Sequence, residues 1–589
     1  MTTNDKLAAL RREMAARGAS ALMIVSDDFH QSEYVGEYFR ARAWVSGFGG
    51  SAGTLVITME EARLYTDGRY FIAAAKALEG SEITLMKSGT PGVPTPTEYL
   101  ASVLKDGDTL AFDGRCVSAS AADALRAKLP AGVSIMSDVD FPGLIWENRP
   151  ALPCGAIRRY DDAYAGRSHA EKLADVRAAL DKKGCTALVM SSLCDIAWFY
   201  NLRGVDVEKA QVFLAYCLVT RERDELFVRP GAMTCEPPEG VTVRDYDDFI
   251  GALASLENET VLVDKSALSE AIAANITAKT VAGVSPTVSM KAKKNETELA
   301  NTRKAHLSDG LAVTRFMIEC KYGSRAFDEI SAAAYLLALR RECAERIGVH
   351  MVGESFGAIS AFGSNAAIVH YGATRETCRA IDRTAPVPML LMDSGGQYLE
   401  GTTDITRTFV LGEIPAEVKA HYTLVAAGML RLANARFPEG ASGKALDAIC
   451  RMPLWQAGLD FLHGTGHGVG HLLSVHEGPN RFHWRTADAV LEVGMITSDE
   501  PGLYVEDSHG IRIENELCVI PGGETPFGRF LAFENLTLCP IDLDGIDASL
   551  LDASDVRALN EYHRAVFDAL APHLCANERE RLAYLTREI

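Results

Sequence analysis

A chain of 589 residues is too long for a single hydrophobic core and sets an expectation of about three domains. Its 59 Lys and Arg against 79 Asp and Glu leave a net charge of −20, which argues against nucleic acid or anionic lipid as a partner. No apolar run is long enough to span a membrane, the opening MTTNDKLAALRREMAARG lacks the plan of a signal peptide, and the 13 cysteines form no CxxC pair, so a cytoplasmic protein with reduced thiols is expected.

The first elements belong to a duplication. Lys6 to Ser26 aligns without a gap on Lys172 to Ser192, with Lys6/Lys172, Leu7/Leu173, Ala8/Ala174, Arg11/Arg177, Gly18/Gly184, Ala21/Ala187, Leu22/Leu188 and Ser26/Ser192 identical. Each copy reads as an amphipathic helix closed by a glycine and followed by a buried strand. A unit of this length present twice predicts two related α/β domains and not a solenoid. GFGGSAG, Gly47 to Gly53, fits the dinucleotide fingerprint loosely, with Ala52 in the third place. That fingerprint needs a helix after it, whereas TLVIT, a turn and RLYTD follow here and read as a hairpin. The Pro-rich ENRPALPCG closes the first domain, giving 1–157; the second spans 158–292 and the third 293–589.

The third region opens on a long helical stretch, ETELANTRKAHLSDGLAVTRFMIEC. PMLLMDSGGQYLEGTTDITRTFVLG and GMITSDEPGLYVEDSHGIRIENELCVI each read as strand, Gly-containing turn, strand. Between them Pro415, Val418, Tyr422, Val425, Met429 and Leu432 mark an amphipathic helix with proline in its first turn. The two hairpins share an Asp-x-x-Gly-x-Tyr turn, at Asp393 and at Asp499, which hints at an internal two-fold repeat with the candidate ligands one residue out of step. Asp393, Asp404, Glu500 and Glu514 each have an ordinary reading alone, as turn former, solvated strand residue, pre-proline surface residue or one of an exposed set. An acid that directly ends the apolar strand MLLMD is half-buried, however, and burying it without a partner costs several kcal/mol.

His463, His467, His471 and His476 fall between residues 461 and 479 of a chain with 14 histidines. A helical zinc pair has the right spacing but the wrong backbone, because Gly464, Gly466 and Gly468 disfavour a helix and Gly464 stands where that motif needs Glu. A flexible glycine loop with chance histidines is the second reading. The third is a loop whose glycines bring the backbone close to a ligand while imidazoles point inward. Four carboxylates and one imidazole favour Mn, Co or Fe(II) over a structural zinc, and suit two ions about 3.5–4 Å apart.

In order and context, Asp393, Asp404, His467, Glu500 and Glu514 resemble the ligand set of the pita-bread metallopeptidases. HGTGHGVG, VHEGP, DEPG, GIRIEN and EGTTDITRT resemble the long, three-domain cytosolic Xaa-Pro aminopeptidases, as do HQSEY, VSGFGGSAGT, TDGRYF and IAWFYNLRG in the N-terminal half. The resemblance implies an α/β architecture in which two creatinase-like domains precede an α+β pita-bread domain. It implies two divalent ions, Mn2+ first, with a bridging water or hydroxide, and peptides with proline second as substrates. It assigns His370, His463 and His476 to substrate positioning and oxyanion stabilisation alongside His467, and Arg69 to peptide binding. Glu500 becomes the proton shuttle, and Arg512 the orienter of a ligand carboxylate. His471 has no catalytic counterpart and reads as structural. A homodimer formed through the N-terminal domains is implied as well. A prolidase restricted to dipeptides is the alternative enzyme. A metal-free peptide-binding protein and a creatinase-like hydrolase are disfavoured because all five ligands are kept.

Overall fold

The computed structural model of the chain describes residues 1–486 and 489–589. Two compact units emerge: 1–162 with 167–288, and 163–166 with 289–589.

The first unit contains two six-stranded sheets of one topology. From edge to edge the first runs Ile83–Lys87, Ala62–Thr66, Thr54–Thr58, Ala21–Ile24, Thr109–Ala111, Ser134–Met136. The second runs Thr242–Asp245, Asp224–Val228, Ala215–Thr220, Ala187–Met190, Thr260–Val263, Lys279–Ala282. Each sheet reads parallel, antiparallel, antiparallel, parallel, parallel across its five pairings. The hairpin expected after GFGGSAG is present, with Leu55 opposite Leu64, so no helix follows that loop.

The identities between the copies have physical causes. Helices Thr3–Arg17 and His169–Lys182 both start with a capping box, Thr2 with Asp5 and Ser168 with Glu171. Gly18 (φ 74°) and Gly184 (φ 67°) take the left-handed conformation in which the chain leaves each helix. Lys6 Nζ donates to the carbonyl of Trp44 at 2.5 Å and lies over its ring. Lys172 Nζ does the same at Trp198, at 2.8 Å. Arg11 Nε donates to the carbonyl of Thr58 at 2.9 Å, and Arg177 Nε to that of Thr220 at the same distance. Each copy therefore uses its lysine to close the next helix and its arginine to tie the first helix to the neighbouring strand.

The second unit repeats a different motif. An antiparallel helix pair, Glu296–Tyr322 and Glu329–Ile347, precedes the hairpin Met389–Ser394/Ile405–Val410. A second pair, Ala416–Ala433 and Gly443–Gln456, precedes the hairpin formed by Ile496–Asp499 and Asn515–Thr525. The helix expected after Pro415 is there and buries Val418, Tyr422, Val425, Met429 and Leu432; Pro415 is its N-cap residue. Both predicted hairpins carry a smaller one inside, Gly396–Tyr398/Gly401–Thr402 and Gly502–Val505/His509–Arg512. The shared Asp-x-x-Gly-x-Tyr turn has a common cause, since a Cβ on Gly396 or Gly502 would strike the ring of Tyr398 or Tyr504. All 13 cysteines are free thiols. Among the described residues no helix is long and apolar enough to cross a membrane.

Lys172 is 1% exposed. Lys172→Met should leave the Trp198 carbonyl and Asn201 Oδ1 without their charged donor, costing about 1.5–3 kcal/mol. A lowered urea midpoint for the N-terminal transition would show it, with the C-terminal transition unmoved.

Candidate metal centre

The ligand candidates converge where the two large hairpins of the C-terminal unit meet edge to edge. Thr406 is the junction. Across one side of its strand it faces Asp393 in register. On the other side the Glu514 amide donates to the Thr406 carbonyl at 3.0 Å, and Thr406 Oγ1 donates to Glu514 Oε2 at 2.7 Å. Asp404 lies two residues before Thr406, with its amide held by Glu516 Oε1 at 2.6 Å.

His467 and Glu500 arrive together. The His467 amide donates to Ser498 Oγ at 3.0 Å, and the Glu500 amide to the Thr465 carbonyl at 2.7 Å. His467 Nε2 then stands 3.4 Å from Asp404 Oδ2 and 3.4 Å from Glu500 Oε1. Donor atoms of Asp404, His467 and Glu514 all lie within 4.8 Å of one another. Asp393 joins through Arg512, whose Nη2 donates to Asp393 Oδ2 at 2.5 Å. The same guanidinium reaches the Tyr504 hydroxyl at 2.6 Å and Thr406 Oγ1 at 3.3 Å.

These residues fit a cation-binding role on three counts. Asp393 Oδ1 and Glu514 Oε1 are buried and accept no hydrogen bond among the described residues. His467 Nδ1 faces the Gly468 carbonyl at 3.0 Å, which can only accept, so the ring proton sits there and the Nε2 lone pair faces two carboxylates. A lone pair against carboxylate oxygens is repulsive unless a cation lies between them. Third, the acids repel one another. Burial, then Asp393, Glu500 and Glu516, pushes Asp404 well above the ordinary carboxylate range. Burial, then Asp404, Glu500 and Asp393, does the same to Glu514. Burial also lifts Glu500, against the pull of His467 and Arg512. Oxygen-rich ligation with one imidazole suits Mn2+, Co2+ or Fe2+.

The other candidates are partly gathered. His476 packs edge-on against His467, ring centroids 4.2 Å apart. His463 Nδ1 faces the Gly464 carbonyl at 2.7 Å and its Nε2 meets the Tyr504 hydroxyl at 2.9 Å. A neutral His463 therefore carries its proton on Nδ1 and accepts at Nε2. Donation from Nε2 to an oxyanion would require the doubly protonated imidazole. His370 follows Val369, whose carbonyl accepts from Arg512 at 3.4 Å. His471 is buried elsewhere, with Nδ1 3.2 Å from Thr302 Oγ1. Arg69 lies in the N-terminal unit, where Asp67 takes both its Nε (2.9 Å) and Nη2 (2.8 Å).

No helix forms over 461–479, as expected, and the glycines admit close backbone packing. A Cβ on Gly466 would come 1.7 Å from the Ser498 carbonyl, and one on Gly468 2.0 Å from that of Glu477. Sequence reasoning also gave no role to Thr406, Ser498 or Tyr504. Tyr504 was signalled by the repeated Asp-x-x-Gly-x-Tyr turn, whereas Thr406 and Ser498 matter through strand pairing that no local pattern announces.

Residues 300–521 match the model of metallopeptidase family M24, and 529–589 match its C-terminal region. Residues 6–150 and 148–298 match two creatinase/prolidase N-terminal domain models. Aminopeptidase P2 of Arabidopsis thaliana is 38% identical, covering 98% of this chain and 87% of that protein. This chain belongs to the M24 metallopeptidases, of the aminopeptidase P type. A probable Xaa-Pro aminopeptidase P of Laccaria bicolor is 37% identical, over 100% of this chain and 93% of its relative. The X-prolyl aminopeptidase of Caenorhabditis elegans, described as a cytosolic enzyme with a di-nuclear active site, superimposes with a TM-score of 0.94 at 32% identity, covering 100% of both chains. The prolidase of Pyrococcus horikoshii OT3 shares the fold over 63% of this chain (TM-score 0.51, 24% identity) and 99% of its own. The family match makes the second unit a pita-bread domain and the two N-terminal sheets creatinase-like domains.

The charge crowding has a measurable consequence. Raised carboxylate values mean that ionisation opposes the fold. The contribution of these groups to the stability of the metal-stripped protein is therefore fully present below about pH 4 and lost as pH climbs through the raised values of Asp404 and Glu514. Asp404→Asn should raise the melting temperature of the stripped protein at pH 7.5 while cutting its Mn2+ stoichiometry, read by calorimetry and elemental analysis.

Proposed function

We propose that this chain is a metal-dependent aminopeptidase that releases the N-terminal residue of peptides whose second residue is proline. The observation that carries the reading is the convergence of Asp393, Asp404, His467, Glu500 and Glu514 on one buried locus, two of them with oxygens that accept no hydrogen bond. These five residues would hold two divalent ions, manganese by preference. When bound, such ions supply a lowered pKa for an attacking water and polarisation of the scissile carbonyl.

The chain's own groups do the rest. An Xaa-Pro bond is a tertiary amide without an N–H, so its nitrogen must receive a proton to leave. Glu500 is suited to carry that proton, because its carboxylate lies 3.2 Å from Ser498 Oγ and 3.4 Å from His467 Nε2. Arg512 holds Asp393 in place. His370, His463 and His476 are assigned to substrate positioning by the resemblance, and a protonated His463 would donate to a developing oxyanion. Arg69 is assigned to peptide binding on the resemblance alone. The domain limits 1–157, 158–292 and 293–589 belong to this reading, as do a cytoplasmic location and a homodimer.

After chelation, Mn2+ should restore release of Arg from Arg-Pro-Pro, followed by mass spectrometry. Hydrolysis of the dipeptide Arg-Pro alone would instead make the protein a prolidase. Glu500→Gln should lower kcat by about 10²–10⁴-fold, and light scattering should give twice the 63.7 kDa chain mass.

A further inference from the structure

Glu329, the first residue of helix Glu329–Ile347, is fully buried, and the donors around its carboxylate are neutral. The Phe362 amide donates to Oε1 at 2.7 Å, and Asn365 Nδ2 lies 3.0 and 3.1 Å from the two oxygens. The Tyr371 hydroxyl and the Arg379 amide each donate to Oε2 at 2.9 Å. All four donor residues lie on one segment, 362–379, which runs from the end of strand Ile359–Phe362 through the short turn Gly363–Ala367 into irregular chain. The Glu329 amide returns a hydrogen bond to the Arg379 carbonyl at 3.1 Å.

That segment carries His370. The carbonyl of Val369, just before it, accepts from Arg512, and the side chain of Tyr371, just after it, is bound to Glu329. The turn at its start packs on the strand of Arg512 so closely that a Cβ on Gly510 would come 1.8 Å from the Ala366 carbonyl. An apolar core residue could not gather donors from four separated positions of a loop. A two-oxygen anion can, and the helix N-terminus favours its charge.

We propose that Glu329 is a positioning residue for His370, acting through the loop without touching substrate. The anchor holds the segment on both sides of His370, through Phe362 and Asn365 before it and Tyr371 and Arg379 after it, and Arg512 adds a bond to the Val369 carbonyl. This rests on the reading of His370 as a substrate-positioning residue.

Glu329→Gln places an NH2 against donors and should loosen the loop. Hydrogen exchange of amides 363–379 in the Mn2+-loaded protein should accelerate, with metal content unchanged. kcat/KM for Arg-Pro-Pro should fall about 10–100-fold, the scale of a misplacement of about 1 Å. Adding Glu329→Gln to His370→Ala should cause no further fall. Tyr371→Phe, which removes a single donor, should move exchange and kcat/KM in the same direction by less, and serves if Glu329→Gln does not fold. Unchanged exchange overturns the proposal, as does a full further fall in the His370→Ala background, because Glu329 would then act by general stability. Full activity of His370→Ala overturns the reading of His370 itself and the positioning claim with it, and is told apart from failure of the anchor by exchange that still accelerates in Glu329→Gln.

Discussion

Like charges held together against their repulsion are the constraint on which the C-terminal unit depends. Asp393, Asp404 and Glu514 are buried to 8% exposure or less, and Glu500 completes the group. Side chains alone could not hold such a set, because each acid would gain by turning to water. Backbone pairing does it. Thr406 is bonded to Glu514 through both its carbonyl and its hydroxyl and faces Asp393 across the other edge of its strand. The acids are therefore spaced by the fixed separation of β-strands, and a cation of sufficient charge turns the repulsion into attraction.

The histidine loop obeys the same logic. His463 and His467 each present Nδ1 to the carbonyl of the glycine that follows, which fixes the tautomer and aims Nε2 at its partner. Gly466 and Gly468 let this loop lie against the strand of Ser498 and against Glu477 at distances no Cβ could tolerate. Rigidity, not freedom, is what these glycines supply.

In the N-terminal unit the duplication survives where a side chain closes a backbone group. The lysines cap carbonyls of helices that differ in sequence, and the arginines tie helix to strand in both copies. Hydrogen bonding of these charged groups to backbone carbonyls explains why they recur in both copies.

The helices and strands were legible because their signals are local. The helix and strand of each N-terminal copy, the hairpin after GFGGSAG and the helix after Pro415 follow from periodicity and capping. The candidate ligand set was legible because its residue types and contexts are specific to one chemistry. Tertiary structure alone decided the rest. The facing of His463 Nε2 to Tyr504, the role of Thr406 as junction, the second hairpin nested in each large one, and the anchoring of the His370 loop by Glu329 depend on partners 33 to 108 positions away or on register between strands. Periodicity records which face of an element is buried. It does not record what that face meets, and the protonation and orientation of a site are set by what it meets.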